Sequence, residues 1–469
     1  MAARAFLALM ASLTLLAATA APAAAQPAIT DWPMYQFDLK HTGKSTAAGP
    51  GDQGVQQKWT YDSVSWIKDQ VAIGPDTGVG IPDRAVFFGD AKFPLCMVDP
   101  ERQTGDPATW CTDIGGFVNA SSPAVGNPNP AGVQTVYIGD RNNVFWAIDS
   151  QTHQPLWHFK IPLDGDVHGS PIINPSDGSV YVSCGCTTTG VLYKWDRNPN
   201  NIDGQGVAVP KWKVYIFPGI RNSQPVGVFR NSTFRMYIGT ADGRLAAIDD
   251  NGASGGIPGK PGLPNVPNWS IKLTAKVGTK KIQATKNYHS SPTIGPDGTI
   301  YVGTNKGVFA VKDDPVQGPI VLSLFTGGIV GEWDTAFALD TVTIGAKTMV
   351  LLYASVYHTL TRTFYAIDIT DPTQPKTFFK YGPFRGTTST AYTVTPAPVA
   401  DTNGIVYAAI GPTVFAFNPT TVNTANPQPA WSFTLANSGV PADAISLAVG
   451  TDVLYVAARD FFLYALTKQ

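Results

Sequence analysis

The sequence predicts an all-β protein: a single eight-bladed β-propeller of four-stranded antiparallel blades, closed where an N-terminal strand joins the C-terminal blade. Three observations carry this expectation. Gly and Pro together make up about one residue in six, and only 14% of residues are charged, against roughly 25% in an average soluble domain. A unit of four short apolar pieces recurs along the chain at a spacing of about 55 residues, close to that of propeller blades. The last copy has three pieces, and a fourth stands alone near the amino terminus.

Residues 1–25 read as an export signal. Arg4 precedes an apolar run from Phe6 to Ala20, and Ala23-Ala24-Ala25 before Gln26 is the small-residue pattern that a signal peptidase cuts. The run is short and Ala-rich beside the roughly 20 residues that a bilayer span needs. The first cysteine is Cys96, so a lipid anchor at the cut is not expected. No later segment is long and apolar enough to cross a membrane. A leader strap (26–56) and the propeller proper (57–469) follow, in an exported protein, periplasmic or extracellular. A formal charge of −1 argues against a nucleic-acid partner, which would require a basic excess to displace phosphate counterions.

The clearest repeat runs from Ser121 to Ile161. Ser121-Ser122-Pro123 opens it, followed by Val136-Tyr137-Ile138-Gly139, Val144-Phe145-Trp146-Ala147-Ile148-Asp149 and Leu156-Trp157-His158-Phe159. Each piece is short, rich in β-branched and aromatic residues, and bounded by turn formers, which is the signature of strands. The second piece returns as Met236-Tyr237-Ile238-Gly239, Ile300-Tyr301-Val302-Gly303 and Val406-Tyr407-Ala408-Ala409, and eight times in all. The fourth carries Trp110, Trp157, Trp212, Trp269 or Trp431 in five copies. A small residue in strand three, such as Ala147 or Ala246, leaves room for that Trp to lie across it as core. The final copy, Ser446 to Leu466, lacks a fourth strand, and Lys58-Trp59-Thr60-Tyr61 supplies one. Pairing the two ends removes an exposed sheet edge.

The repeated Val-Tyr-Ile-Gly and Ala-Ile-Asp pieces with their following Trp resemble the pyrroloquinoline-quinone-type, or tryptophan-docking, propeller repeat. The segment Asp31 to Ser45 is similar to the leader that such proteins carry before the first blade. The resemblance implies a quinoprotein-dehydrogenase-like fold without that group's full catalytic motif set. Its members include quinone-dependent alcohol and sugar dehydrogenases, non-catalytic binding proteins and outer-membrane assembly scaffolds.

Aligning the copies on Ser-Ser-Pro places Asn119, His168, Asn222, His289, Asp334, Thr395 and Asp443 around one rim of the central channel. The turns between strands two and three add Asp140, Arg141, Thr304, Asn305, His358, Arg459 and Asp460. Histidines titrate, ligate metals and move protons, so His168, His289 and Asp334 are the candidate catalytic residues, with Asp443 a second possible base. If the chain is a quinone-dependent oxidoreductase acting on alcohol groups, with calcium assisting the quinone, then Asn119 and Asn222 are candidate ion ligands. Trp333 is then the candidate aromatic floor, and Arg459 faces the cofactor oxygens. No Cys-x-x-Cys-His haem motif occurs, and no closely spaced histidine pair marks a zinc site. Asp-Gly pairs near Asp177 and Asp297 read as hairpin turns rather than calcium loops.

Cys96 and Cys111 fall on adjacent strands of the first blade and are expected to bridge. Cys184-Gly185-Cys186 lies on the channel face of the third blade. It is similar in place to the adjacent Cys-Cys pair of quinone alcohol dehydrogenases but is interrupted by Gly185, and it can be bridged or reduced. The first reading of function is a binding or scaffold propeller, a monomer holding a small molecule or protein at its rim. Quinone-dependent oxidation comes second, and a propeller hydrolase or lyase using rim His and Asp third.

Overall fold

A computed structural model describes residues 32–469 apart from 64–66, 68–69, 75–84, 91, 107, 114–120, 128–133, 163–166, 168, 186–188, 222, 251–266, 288–289, 329–332, 334, 359–360, 386–395 and 438. Among the described residues there is no helix, and eight four-stranded antiparallel sheets follow one another around a ring. Blade 1 comprises Ala72–Gly74, Ala85–Phe88, Leu95–Val98 and Trp110–Thr112; blade 2, Ala124–Val125, Thr135–Gly139, Val144–Asp149 and Pro155–Lys160. Blades 3 to 7 repeat the order from Ile172 to Thr434. Blade 8 takes Ala444–Gly450, Val453–Ala458 and Phe462–Lys468 from the carboxyl end, and its outer strand, Val55–Asp62, from the amino end. The ring therefore closes as the sequence predicts.

The Trp-over-Ala rule sets the sheet interiors. Trp157 lies opposite Ala147, Trp431 opposite Ala416 and Trp59 opposite Ala465. In blade 4 the partner of Trp269 is Ala247, whereas Ala246 faces Ser270. Two adjacent alanines permit either reading, and register selects the one aligned with Ala147. The tryptophans also dock blade to blade. Trp59 is fully buried and donates from Nε1 to the Pro100 carbonyl of blade 1 at 2.8 Å. Trp157 stacks on Trp195 of blade 3 at 5.8 Å, and Trp110 on His153 of blade 2 at 4.3 Å. Cys96 and Cys111 are directly paired in register and joined by a disulfide, their Cα atoms 4.1 Å apart. Such a bond fits an oxidising compartment.

The innermost strand of each blade has one edge facing the channel, where its N–H groups have no neighbouring strand to meet. The leader strap meets them. The N–H groups of Ile73, Val125, Gly227, Ile294, Leu339 and Ala400 occupy equivalent positions in blades 1, 2, 4, 5, 6 and 7. They donate in turn to the carbonyls of Trp32, Pro33, Leu39, Lys40, Thr42 and Gly43 at 2.7–2.9 Å. Met34 joins the apolar cluster of blade 3 with Ile172, and Asp452 N of blade 8 donates to the Ala48 carbonyl at 2.7 Å. The strap thus runs a full circuit inside the ring and fills one end of the channel.

A chain can follow so tight a circle only by turning sharply. Gln36, Phe37, His41 and Gly43 all have positive φ, at 52°, 74°, 51° and 59°. That conformation is unfavourable for side-chain-bearing residues, so the surrounding bonds must hold it. Asp38 supplies several, accepting from the backbone N–H of Lys40 and Thr42 and from the Thr42 hydroxyl at 2.9–3.1 Å. Gly43 is close-packed, since a Cβ there would lie 2.6 Å from Gln36 Oε1 and 3.1 Å from the backbone of Ala338, so both would have to shift to admit one. Lys44 pairs with the buried carboxylate of Asp340, and Gly49 N donates to Asp401 at 3.2 Å. Burial raises the pKa of Asp38, Asp340 and Asp401 and lowers that of the fully buried His41 to about 3.

Candidate functional site

The other end of the channel is the rim, where strand four of one blade leads into strand one of the next. The Ser-Ser-Pro motif builds its wall. The first serine or its equivalent holds strand two of its own blade: Ser121, Ser223 and Ser290 accept from the N–H of Gly139, Gly239 and Gly303 at 3.0–3.1 Å. The second links neighbouring blades. Ser122 accepts from Gln70 N of blade 1, Ser170 from Ser122 N, and Ser291 from Gln224 N, at 2.9–3.1 Å. Gln70 also donates to the Leu447 carbonyl of blade 8 and accepts from Gln36 N of the strap. These bonds form a polar belt tying blades, ring closure and strap together.

The strand-two glycine has a steric cause. The incoming rim segment passes directly over it, so a Cβ at Gly139 would lie 2.3 Å from Val167, at Gly239 2.3 Å from Asn287, and at Gly303 1.8 Å from the Trp333 carbonyl. Trp333 therefore occupies the same place in its blade as Val167 and Asn287 in theirs. Its ring is fully buried, 4.9 Å from Tyr365 and 5.5 Å from Phe325, so no face of it opens toward the channel.

The polar residues of the turns between strands two and three cap those turns. Asp140 accepts from Asn142 N, Val144 N and the Trp146 indole N–H, each at 2.8 Å. Asp90 accepts from Lys92 N, Phe93 N and Ser63 Oγ at 2.7–2.9 Å. Asp460 accepts from Phe462 N and the Tyr464 hydroxyl. Thr304 accepts from Lys306 N and donates to the Gly307 carbonyl, both at 3.0 Å. Asn305 clamps Thr285 and Lys286 of the neighbouring connection.

Blades 6 to 8 hold a different arrangement. Arg362 of blade 6 crosses Gly411 of blade 7 and reaches Asp443 before blade 8, with Nη2 and Oδ2 3.6 Å apart. Arg459 N donates to the Asp443 carbonyl at 2.9 Å, which brings a second guanidinium-bearing residue to this corner. The sequence places Asp443 and Arg459 on the rim but does not single out Arg362; its only signal is a cation opening strand three. Asn119, His168, Cys186, Asn222, His289, Asp334 and Thr395 lie outside the described residues, as does the side chain of His358. Cys184 is buried at the end of its strand.

Three solved structures show how widely this architecture is shared. BamB from Moraxella catarrhalis aligns over 89% of this chain and 98% of its own, at 14% identity and a TM-score of 0.54. The two share the propeller fold. The quinohemoprotein alcohol dehydrogenase ADHIIG from Pseudomonas putida aligns over 93% of this chain and 80% of its own, at 10% identity and a TM-score of 0.58. A europium-containing methanol dehydrogenase aligns over 93% and 98%, at 10% identity and a TM-score of 0.52. No family model and no curated protein matches the sequence. At these identities the likeness concerns the propeller fold, on which unrelated functions are carried. Among the described residues no helix is long and apolar enough to span a membrane.

Proposed function

We propose that this chain is an exported binding propeller that holds a small molecule or protein at the rim end of its channel and performs no chemistry of its own. The observation that carries this reading is how the described rim groups are used. Asp90, Asp140, Thr304, Asn305 and Asp460 are engaged in capping or clamping connections, and Trp333 is enclosed in the core. Rim loops held this way form a rigid frame whose sequence differs from blade to blade, which suits recognition.

Quinone-dependent alcohol or sugar oxidation is the second reading, favoured by the likeness to the two dehydrogenases. It assigns Asp334 or Asp443 as base, Asn119 and Asn222 as calcium ligands and Arg459 toward the quinone oxygens. An enclosed Trp333 does not fit the aromatic floor that this reading asks of it. The deciding experiment titrates mature protein with pyrroloquinoline quinone and calcium. A ligand at one hundred times its Kd would add about 2.7 kcal/mol of stability. The binding-protein reading expects an unchanged quinone spectrum and melting curve. A saturable spectral shift with alcohol-dependent dye reduction overturns it.

A further inference from the structure

Between strand four of blade 4 and strand one of blade 5 the chain builds an extra hairpin, Thr274–Val277 paired with Lys280–Gln283. It stands on the rim, because Leu273 N at its base donates to the Gly243 carbonyl in the strand-two-to-three turn of blade 4. Asn305 of the corresponding turn in blade 5 holds its other leg at Thr285 and Lys286. Ala275 packs against the apolar cluster shared by blades 4 and 5, and Thr274–Val277 lies against Gly318–Phe325 of blade 5, which fixes one side of the hairpin. The outer edge of Lys280–Gln283 has no further strand beside it among the described residues.

Its charge is unusual for this chain. Positive and negative residues nearly balance overall, yet between Asp250 and Asp297 there are six lysines and no Asp or Glu. Lys272 is taken up by Asp242 at 3.2 Å. Lys276, Lys280 and Lys281 are exposed, and among the described residues no carboxylate lies within ion-pair distance of them. Lys276 stands directly opposite Lys281, and Val277, 42% exposed, opposite Lys280. Like charges directly opposed across a hairpin are destabilising, so the isolated hairpin gains nothing from this pattern. A strand carrying acidic residues would neutralise it.

We infer that this hairpin is the docking edge for an acidic, extended polypeptide segment of a partner protein, which adds as a third strand beside Lys280–Gln283. The inference deepens the reading of the rim as a binding face and rests on it. Backbone pairing at an open edge supplies affinity, and side chains select the partner. Lysines on an edge strand repel ordinary strands; the same lysines admit one that carries Glu or Asp at alternate positions, so repulsion and attraction together give specificity.

The test measures binding of a fluorescent peptide alternating Glu and Thr to the mature protein by anisotropy. A peptide of equal charge with Pro at the Thr positions cannot form a strand, and phosphatidylglycerol vesicles serve as an anionic lipid probe. The expected result is saturable binding of the Glu-Thr peptide, weakened roughly tenfold or more by the combined Lys276→Gln, Lys280→Gln, Lys281→Gln variant and by added salt. An unchanged melting curve of that variant shows the ring intact. Equal binding by the variant, equal binding of the Pro peptide, or binding of the vesicles in place of the peptide overturns the inference. A protein that binds neither peptide nor quinone loses only this inference. One that oxidises alcohols through the quinone loses the rim reading, whatever the peptide does.

Discussion

The two ends of the channel are tied in different ways. Each blade brings an inner strand with an unpaired edge to the axis. At the strap end a single segment satisfies six of those edges at equivalent positions, through its own carbonyls. At the rim the turns between strands two and three are capped by their own side chains, Asp140 in one blade and Thr304 in another, and serines such as Ser122 and Ser170 join blades only pairwise. A collective solution couples every blade to residues 32–48, and a local one leaves each loop free to differ. Stability is therefore concentrated at the strap end, and variety, which recognition requires, at the rim.

The strongest way to break that contrast is to remove residues 26–54. The deletion keeps Val55–Asp62, so ring closure survives, but the six inner-edge hydrogen bonds are lost, together with the bonds of Gln36, Gly49 and Ala48 to the ring and the burial of Trp32. At about 1 kcal/mol net for each bond, the six inner-edge bonds alone come to on the order of 6 kcal/mol, comparable with the whole stability of many domains. The expected outcome is a protein that is unfolded or melts far below wild type, with recovery when a peptide of residues 30–54 is added in trans. A deletion variant that melts like the parent would mean that the strap lies on a ring already stable without it.

How much of this was legible in the sequence follows from the same contrast. The blades were, because each strand carries its own side-chain signature: Val-Tyr-Ile-Gly in strand two, and Ala opposite Trp in strands three and four. Ring closure was legible because Trp59 bears the strand-four mark. The strap's circuit was not, since it works through backbone carbonyls and through positive φ at Gln36, Phe37 and His41, residues that do not advertise that conformation. Asp140 and Asp460 stand in the turns between strands two and three, where the sequence puts them, but their use as turn caps depends on hydrogen bonds to residues two and four positions ahead. Arg362 was missed because it acts two blades away from its own. The assignments to Asn119, Asn222, His168, His289 and Asp334 stand as expectations of the sequence.

The pH dependence of stability sharpens the comparison. His41 in the folded strap titrates near 3, because burial disfavours its charged form, against an ordinary value of 6.5. Above pH 6.5 both folded and unfolded chains hold it neutral, and its contribution is fully present. As pH falls from 6.5 toward 3 the unfolded chain takes up the proton first and stability is lost, by about 5 kcal/mol for this group alone. Asp38, Asp340 and Asp401, whose folded pKa values are raised by burial, act with the opposite sign and offset part of the loss as they protonate. Melting between pH 7 and 4 is expected to fall more steeply in wild type than in His41→Asn, where Asn tolerates the positive φ and does not titrate. Parallel slopes in the two proteins would place the acid sensitivity elsewhere than the strap.

The smallest expected effect lies at the rim. Asp443→Asn removes a charge but keeps the shape, and leaves a neutral amide facing Arg362. The pair is 3.6 Å apart, and the Asp443 side chain is 28% exposed, so water already screens it. Partly exposed pairs of this kind contribute about 0–1 kcal/mol, and the melting temperature is expected to stay close to that of wild type. A rim that recognises its ligand through this corner would instead show the substitution in affinity, since Arg362 and the neighbouring Arg459 would then carry an uncompensated positive charge. The informative result is the split between the two measurements. Lost binding with unchanged melting assigns the Arg362–Asp443 corner to recognition. A large drop in melting temperature would make that corner a second lock on the ring, spanning blades 6 to 8, and would move part of the stability from the strap end to the rim.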